Sequence, residues 1–311
     1  MAILYSNYAS DLLKHSSKII GNIGCTFVPG NNPAMLQNAD IHSADALILD
    51  LEDAVAIKEK DSARRLVRRA IKALDFAGIT LVIRINPAGS PYLEDDLQAM
   101  VPLAPSYLMP TKVSGAEDIR ALSARMAELE AQNGLEAGSV GLIPLIETAL
   151  GVENAFHIAG SDPRVRGLFL GAEDLTSDLG AARSKAGQEI FYARGRMVMA
   201  AKACGIPVFD TPFTDVEDQE GLEIDAAFAK SLGFDGKAAI SPRHVGVINQ
   251  VFSPKLEEIA YAREVMAAIK EAEAAGLGAV SLRGKMIDKP IVDRARRLLL
   301  AAEQLGLGGQ D

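Results

Sequence analysis

The stretch FLGAEDLTSDLG, residues 169–180, opens as an apolar run and then sets Glu173 and Asp174 side by side. An apolar strand that runs into adjacent acids, with a helix following, is the strand-to-helix step of a β/α unit. The acids add nothing to a core, because an unpaired carboxylate taken out of water costs several kcal/mol, of the order of a domain's net stability. They therefore face a positive charge or lie in solvent. Working outward, the same kind of run recurs as CTFVPG (25–30), ALILDLED (46–53), LVIRINP (81–87), YLMPTK (107–112), GLIPLIET (141–148), PVFDTPF (207–213) and AAISP (238–242). With GLFLGAED (167–174) these make eight. They are apolar on both faces, as strands of a parallel sheet covered by helices must be. Ala-rich, charged stretches at 59–74, 115–132 and 188–205 separate them and read as helices.

Eight strand–helix alternations are the count that closes an α/β (β/α)8 TIM barrel. A doubly wound sheet is the alternative, and the lack of a G-x-G-x-x-G after the first strand stands against it. The barrel is expected over residues 1–252, and a C-terminal helical arm or lid over 253–311. In the arm, Leu256, Ile259, Ala262, Met266 and Ile269 follow helical spacing between Pro254 and a stop at Gly276. A Gly-rich link, 276–285, leads to a second helix starting near Pro290, with Ile291, Ala295, Leu298, Leu299 and Ala302 on one side. After Pro254 only helices are expected.

At 311 residues and 49% hydrophobic content the chain can bury a large core, and its net charge of −9 argues against a nucleic-acid partner. Arg64, Arg65, Arg68 and Arg69 read as a solvated helix face. Cys25 and Cys204 have no C-x-x-C spacing, which suggests buried, reduced thiols in a cytoplasmic protein. No window approaches the length of a membrane span, and no signal-peptide core opens the sequence.

In such a barrel the C-terminal strand ends surround one mouth. Here they read Pro29-Gly30-Asn31, Glu52-Asp53, Arg84-Asn86, Lys112, Glu147-Thr148, Glu173-Asp174, Asp210-Thr211 and Ser241-Pro242. Glu147 and Asp174 end neighbouring staves, so their oxygens could reach one hard cation. Mg²⁺ suits one or two carboxylates, with water and substrate oxygens completing its shell. Zinc would want histidine, and none of His15, His42, His157 or His244 falls on a strand end. Arg84, between apolar neighbours, is placed to bind a substrate carboxylate or a developing oxyanion. Simpler readings stay open: Asp174 or Glu147 could serve a helix start, and Arg84 could neutralise Glu52 or Asp53.

FVPGNNPAML (27–36), LILDLEDAV (47–55), RINP (84–87), IPLIETALGVENA (143–155), LGAEDLTSDLG (170–180), GFDGKAAISPRHVGVIN (233–249) and GKMIDKP (284–290) together resemble the citrate lyase beta-subunit family and its CoA-ester lyase relatives. These belong to the HpcH/HpaI aldolase superfamily and include malyl-CoA, citramalyl-CoA and β-methylmalyl-CoA lyases. The resemblance implies a barrel that binds Mg²⁺ through Glu147 and Asp174. It implies that Arg84 contacts the oxo-acid portion, that backbone amides around Gly171, Ala172 and Glu173 hold its carboxylate, and that Glu52 and Asp53 bind metal waters or fix Arg84. It also implies that Asp288 is the acid/base and is donated to a neighbouring subunit, as in a homotrimer or homohexamer. Three departures bear on the substrate: Ile23-Gly24-Cys25 where Arg-Ser is usual, Pro110-Thr111-Lys112-Val113-Ser114 without the usual Glu, and Ile240-Ser241-Pro242 where IHP is common.

The expected reaction splits a β-hydroxyacyl-CoA reversibly into an α-oxo acid and acetyl- or propionyl-CoA, and some relatives go on to hydrolyse the thioester. The partners are thus a CoA thioester and a small α-oxo acid. A class II pyruvate aldolase on free hydroxy-oxo acids would need a rim histidine, and none is placed for it. A citrate lyase beta subunit on an acyl-carrier-protein thioester is the other enzyme reading, and the arm with Asp288 argues against it. A non-catalytic partner protein would bind neither Mg²⁺ nor oxo acid.

Overall fold

The computed structural model describes residues 24–39, 44–76, 78–274 and 280–307. Its parallel sheet comprises β1 (Gly24–Pro29), β2 (Ala46–Asp50), β3 (Thr80–Ile85), β4 (Tyr107–Pro110), β5 (Gly141–Leu142), β6 (Leu145–Ile146), β7 (Leu168–Leu170), β8 (Val208–Asp210) and β9 (Gly236–Ala239). Its order is β5-β4-β3-β2-β1-β9-β8-β7-β6. The two ends of that order are halves of one stave. Pro144 has no N–H and interrupts the stave, yet Ile143 N donates to Leu108 O at 3.0 Å and Phe169 N to Pro144 O at 3.0 Å. Leu142 also bridges Val165. Nine segments therefore make eight staves of a closed (β/α)8 barrel.

The side-chain period of two along each stave fills the lumen. Cys25, Ala46, Ile48, Val82, Tyr107, Met109, Ile143, Leu145, Phe169, Phe209 and Ala238 form one buried cluster. Phe169 stacks on Phe209 and meets Phe27 edge-on, with centroids 5.8 and 6.1 Å apart. Two residues beyond the apolar plug the same inward phase reaches Asp50, Arg84, Thr111, Glu147, Gly171 and Thr211. The ladders stop short of the sequence runs, at Asp50, Ile85 and Ile146, so Glu52, Asp53 and Glu147 lie just past regular pairing.

Two readings of the sequence need correction within the barrel. Arg64 does not share the solvated face of its neighbours: it is 6% exposed, because its guanidinium pairs with buried Asp96 at 3.0 Å. Cys25 is buried, whereas Cys204 is only half-buried; both are free thiols. No helix among the described residues is long and apolar enough to cross a membrane.

The contacts divide the chain into two compact units, with the boundary between Phe252 and Ser253. The second unit contains helices Leu256–Ala274 and Lys289–Gln304, but not helices alone. β10 (Val280–Leu282) and β11 (Lys285–Ile287) pair antiparallel where a link was expected. The turn residues Arg283 and Gly284 have φ of 52° and 76°, the two positive values that a tight hairpin turn demands. Ile287 then packs with Ala262, Val265, Val292 and Ala295. His15, Ile23, His42 and Gly276, named in the sequence reading, lie outside the described residues.

Candidate active site at the barrel mouth

The inward phase of β2 and β3 brings Asp50 and Arg84 together at the top of the plug, in register on adjacent strands. Arg84 Nε donates to Asp50 Oδ1 at 2.8 Å and Nη2 to Asp50 Oδ2 at 2.5 Å, a two-point pairing. Its Nη1 lies 3.5 Å from Glu52 Oε2, and its Cζ stands 5.1 Å over the Phe27 ring. Burial opposes the guanidinium charge, but Asp50, Glu52 and Glu147 hold its pKa above the usual value. Arg84 is thus a fixed, permanent cation facing the mouth.

Its main partner is Asp50, whereas the sequence reading named Glu52 and Asp53. Asp50 also accepts from the backbone N of Glu52 at 2.8 Å and of Ala54 at 3.2 Å, which shapes the turn after β2. The phase Ala46-Ile48-Asp50 carried the signal for it. Glu52 is buried, and burial raises its carboxyl pKa. The Asp53 side chain is 57% exposed and makes no pair with Arg84. Buried Lys60 fixes this turn from beneath, its Nζ donating at 2.8 Å to Leu51 O, to Glu52 O and to Asn86 Oδ1.

Across the mouth Glu147 is 3% exposed, and its Oε1 accepts from the backbone N of Lys112 at 2.8 Å. Its other oxygen occupies space that only a glycine leaves: a Cβ on Gly171 would stand 2.7 Å from Glu147 Oε2. Burial, and then the charge of Asp174, push the Glu147 carboxyl up to about 8. Neither acid serves as a helix cap. Thr148 caps the helix Ala149–Glu153, its Oγ1 accepting from Gly151 N at 3.0 Å, and Gly171 is the N-cap of the helix Ala172–Asp178. Asp174 Oδ2 is buried with no hydrogen-bond partner, and Lys112 Nζ lies 3.5 Å away. Lys112 Nζ also lies 3.1 Å from Glu52 Oε1 and 3.9 Å from Asp53 Oδ1. The sequence reading named Lys112 as a strand end and gave it no role.

A buried carboxylate, Glu147, and a half-buried one, Asp174, that repel each other, the second with a buried oxygen that makes no hydrogen bond, fit a divalent cation. Among the described residues no three His, Cys, Asp or Glu side chains converge. Such an ion would draw its remaining ligands from water and substrate, which suits Mg²⁺ better than zinc.

Of the three amides expected to grip a carboxylate, two are engaged within the fold. Gly171 N donates to Ile146 O at 2.9 Å, and Ala172 N to Thr211 Oγ1 at 3.2 Å. The N–H groups of Glu173 and Asp174 lie in the first helical turn, where no intrahelical carbonyl serves them. The Glu173 side chain itself is 59% exposed and stands 3.4 Å from Arg183 Nε. Thr211 is held in turn: Lys237 Nζ donates to its carbonyl at 2.7 Å and pairs with Asp210 and Asp225, each at 2.6 Å, while Arg194 pairs with the same two acids. Asp210 is therefore a fully neutralised core acid and no part of the free acids at the mouth. Asp288 belongs to the second unit, where its exposed side chain caps the helix Lys289–Gln304 by accepting from Ile291 N at 3.3 Å.

The chain is similar to known proteins over most of its length. The sequence model of HpcH/HpaI aldolase/citrate lyase matches residues 24–242. Citrate lyase subunit beta of Leuconostoc mesenteroides subsp. cremoris is 42% identical over 276 residues, covering 89% of this chain and 91% of that protein. The mitochondrial citramalyl-CoA lyase of Mus musculus is 33% identical over 313 aligned residues, covering 97% of this chain and 91% of that one. The crystal structure of CitE from Mycobacterium tuberculosis in complex with magnesium, acetoacetate and coenzyme A has a TM-score of 0.75 at 32% identity, over 91% of this chain and 98% of that chain.

Proposed function

This chain belongs to the HpcH/HpaI aldolase/citrate lyase family and is a carbon–carbon lyase of the CoA-ester type; from that premise we propose that it is Mg²⁺-dependent and cleaves a β-hydroxyacyl-CoA of the malyl-, citramalyl- or β-methylmalyl-CoA kind. The products are an α-oxo acid, glyoxylate or pyruvate, and acetyl- or propionyl-CoA. The observation that carries the reading is the pairing of Glu147 with the orphaned Asp174 Oδ2 opposite the fixed Arg84 cation.

Glu147 and Asp174 would hold Mg²⁺, which when bound supplies Lewis acidity to the oxygens of the oxo-acid portion. Arg84, kept in place by Asp50, faces the oxygen on which charge shifts as hydroxyl becomes carbonyl. The free N–H groups at Glu173 and Asp174 offer donors to the substrate carboxylate. The hydroxyl gives up its proton to water at the mouth, the bond between the α and β carbons breaks with its electron pair passing to the thioester side, and the enolate so formed must gain a proton at carbon. Asp288 is our candidate for that proton, given by a neighbouring subunit of a homotrimer or homohexamer. Its exposure supports such a role, and its cap bond uses one oxygen only.

A second reading rests on the 42% identity to a citrate lyase subunit beta: the thioester would then be carried by an acyl carrier protein. One assay decides between carriers. The purified chain is incubated with Mg²⁺, glyoxylate or pyruvate, and acetyl-CoA or propionyl-CoA, with an arm of acetyl-acyl-carrier protein and oxaloacetate alongside, and products are read by mass spectrometry. Condensation with CoA esters, abolished by EDTA, is the expected result; condensation only with the carrier-protein thioester would replace it by the second reading.

A further inference from the structure

We propose that Lys112 is a tethered competitor for the cation at this mouth, setting how tightly a divalent ion binds; the inference rests on the Glu147–Asp174 metal reading. A single residue touches both carboxylates. Its backbone N–H donates to Glu147 Oε1 at 2.8 Å, and its ammonium lies 3.5 Å from Asp174 Oδ2, an oxygen with no hydrogen bond. An ammonium and a divalent ion that both use that oxygen stand within a few ångströms of each other and repel.

The backbone supports a built position. Lys112 has φ of 55°, in the left-handed region where glycine is the default and other residues are strained. Strain of this kind persists where the surroundings over-determine it, and here they aim a cation at a cluster of acids. Release from Asp174 does not strand the charge, because Glu52 Oε1 at 3.1 Å and Asp53 Oδ1 at 3.9 Å also accept it. The side chain is 40% exposed and its stem is flexible, so the ammonium can retreat to Glu52 and Asp53 when an ion takes Asp174.

The test removes the charge and keeps the backbone. Wild type, Lys112→Met, Lys112→Gln and Lys112→Arg are titrated with Mn²⁺, the free ion being read by electron paramagnetic resonance. Lys112→Met and Lys112→Gln are expected to bind Mn²⁺ about tenfold more tightly than wild type, with the difference shrinking in high salt. Without added ion both should melt below wild type, and Lys112→Arg should stay near wild type in both measurements. Equal or weaker Mn²⁺ affinity in both uncharged variants overturns the competitor role while leaving the metal reading in place. Failure of wild type itself to bind Mn²⁺ overturns both.

Discussion

The close packing of Gly171 against Glu147 offers a sharp perturbation, Gly171→Ala. The backbone tolerates the change, since φ of −102° and ψ of 98° lie in the extended region open to any residue. Space does not: the added methyl would meet Glu147 Oε2 at 2.7 Å, Glu147 Cβ at 2.8 Å and Leu145 Cδ1 at 3.3 Å. To restore ordinary contact at 3.4 Å the carboxylate must retreat by about 0.7 Å. Glu147 Cβ is bound to the neighbouring stave and cannot swing away, so part of the displacement falls on the pairing of β6 with β7. Overpacking of this kind costs about 1–3 kcal/mol. At about 2–4 °C per kcal/mol for a chain of this size, the melting temperature should fall by about 2–12 °C. The site should suffer more than the fold, because a misplacement near 1 Å costs about 10²-fold in rate. Gly167→Ala, on the same stave, is the control: its methyl meets nothing nearer than 3.5 Å. Both variants are compared by thermal melting, Mn²⁺ titration and CoA-ester cleavage. If Gly171→Ala matched Gly167→Ala in Mn²⁺ affinity and rate, the position of Glu147 would not matter and the metal argument would fail.

Asp174→Asn should abolish Mg²⁺-dependent cleavage and leave the circular dichroism spectrum and melting temperature nearly unchanged, since Asp174 Oδ2 makes no hydrogen bond and its one ion pair among the described residues, to Lys112 at 3.5 Å, is half-exposed; retained full activity would contradict its role as a ligand. Mixing Asp288→Ala subunits with Arg84→Ala subunits should restore part of the activity each lacks alone, by pairing an intact mouth with an intact arm, whereas no recovery after co-refolding would argue that each subunit is self-sufficient. Burial works to raise the Glu130 carboxyl, but Arg164, donating at 2.7 and 2.6 Å, and the N–H groups of Gly138 and Val140 bring it down to about 2. A depressed folded-state value means stability present above the unfolded value and lost as pH falls toward 2. Glu130→Gln should therefore flatten the acid limb of a melting-temperature profile between about pH 4.5 and 2, and an unaltered limb would show that other groups set it.

Legibility in the sequence followed range. Runs such as LILDLED and GLFLGAED announce staves because apolar character on both faces is a local property of a covered parallel strand. Glu147, Asp174 and Arg84 were recognisable because strand ends of a barrel must converge, whatever lies between them in sequence. The hairpin at Val280–Ile287 went unseen because two three-residue strands leave a period too short to read beside a Gly-rich stretch. Arg64 was read as solvated, and Asp210 stood undistinguished among the strand-end acids, because a charge carries no mark of its partner. Asp96 and Arg194 supply those partners from other helices.

The alternation of strand and helix through the barrel and the family were thus legible in local pattern alone, since period and motif are written in neighbouring residues. Which acids remain free was decided only in three dimensions. Asp50 is taken by Arg84 and Asp210 by Lys237 and Arg194, while Asp174 Oδ2 makes no hydrogen bond and, among the described residues, meets only the half-exposed Lys112 ammonium at 3.5 Å. The physical reason is that neutralising a buried charge requires contact within a few ångströms between residues far apart in the chain, and no local pattern encodes that contact.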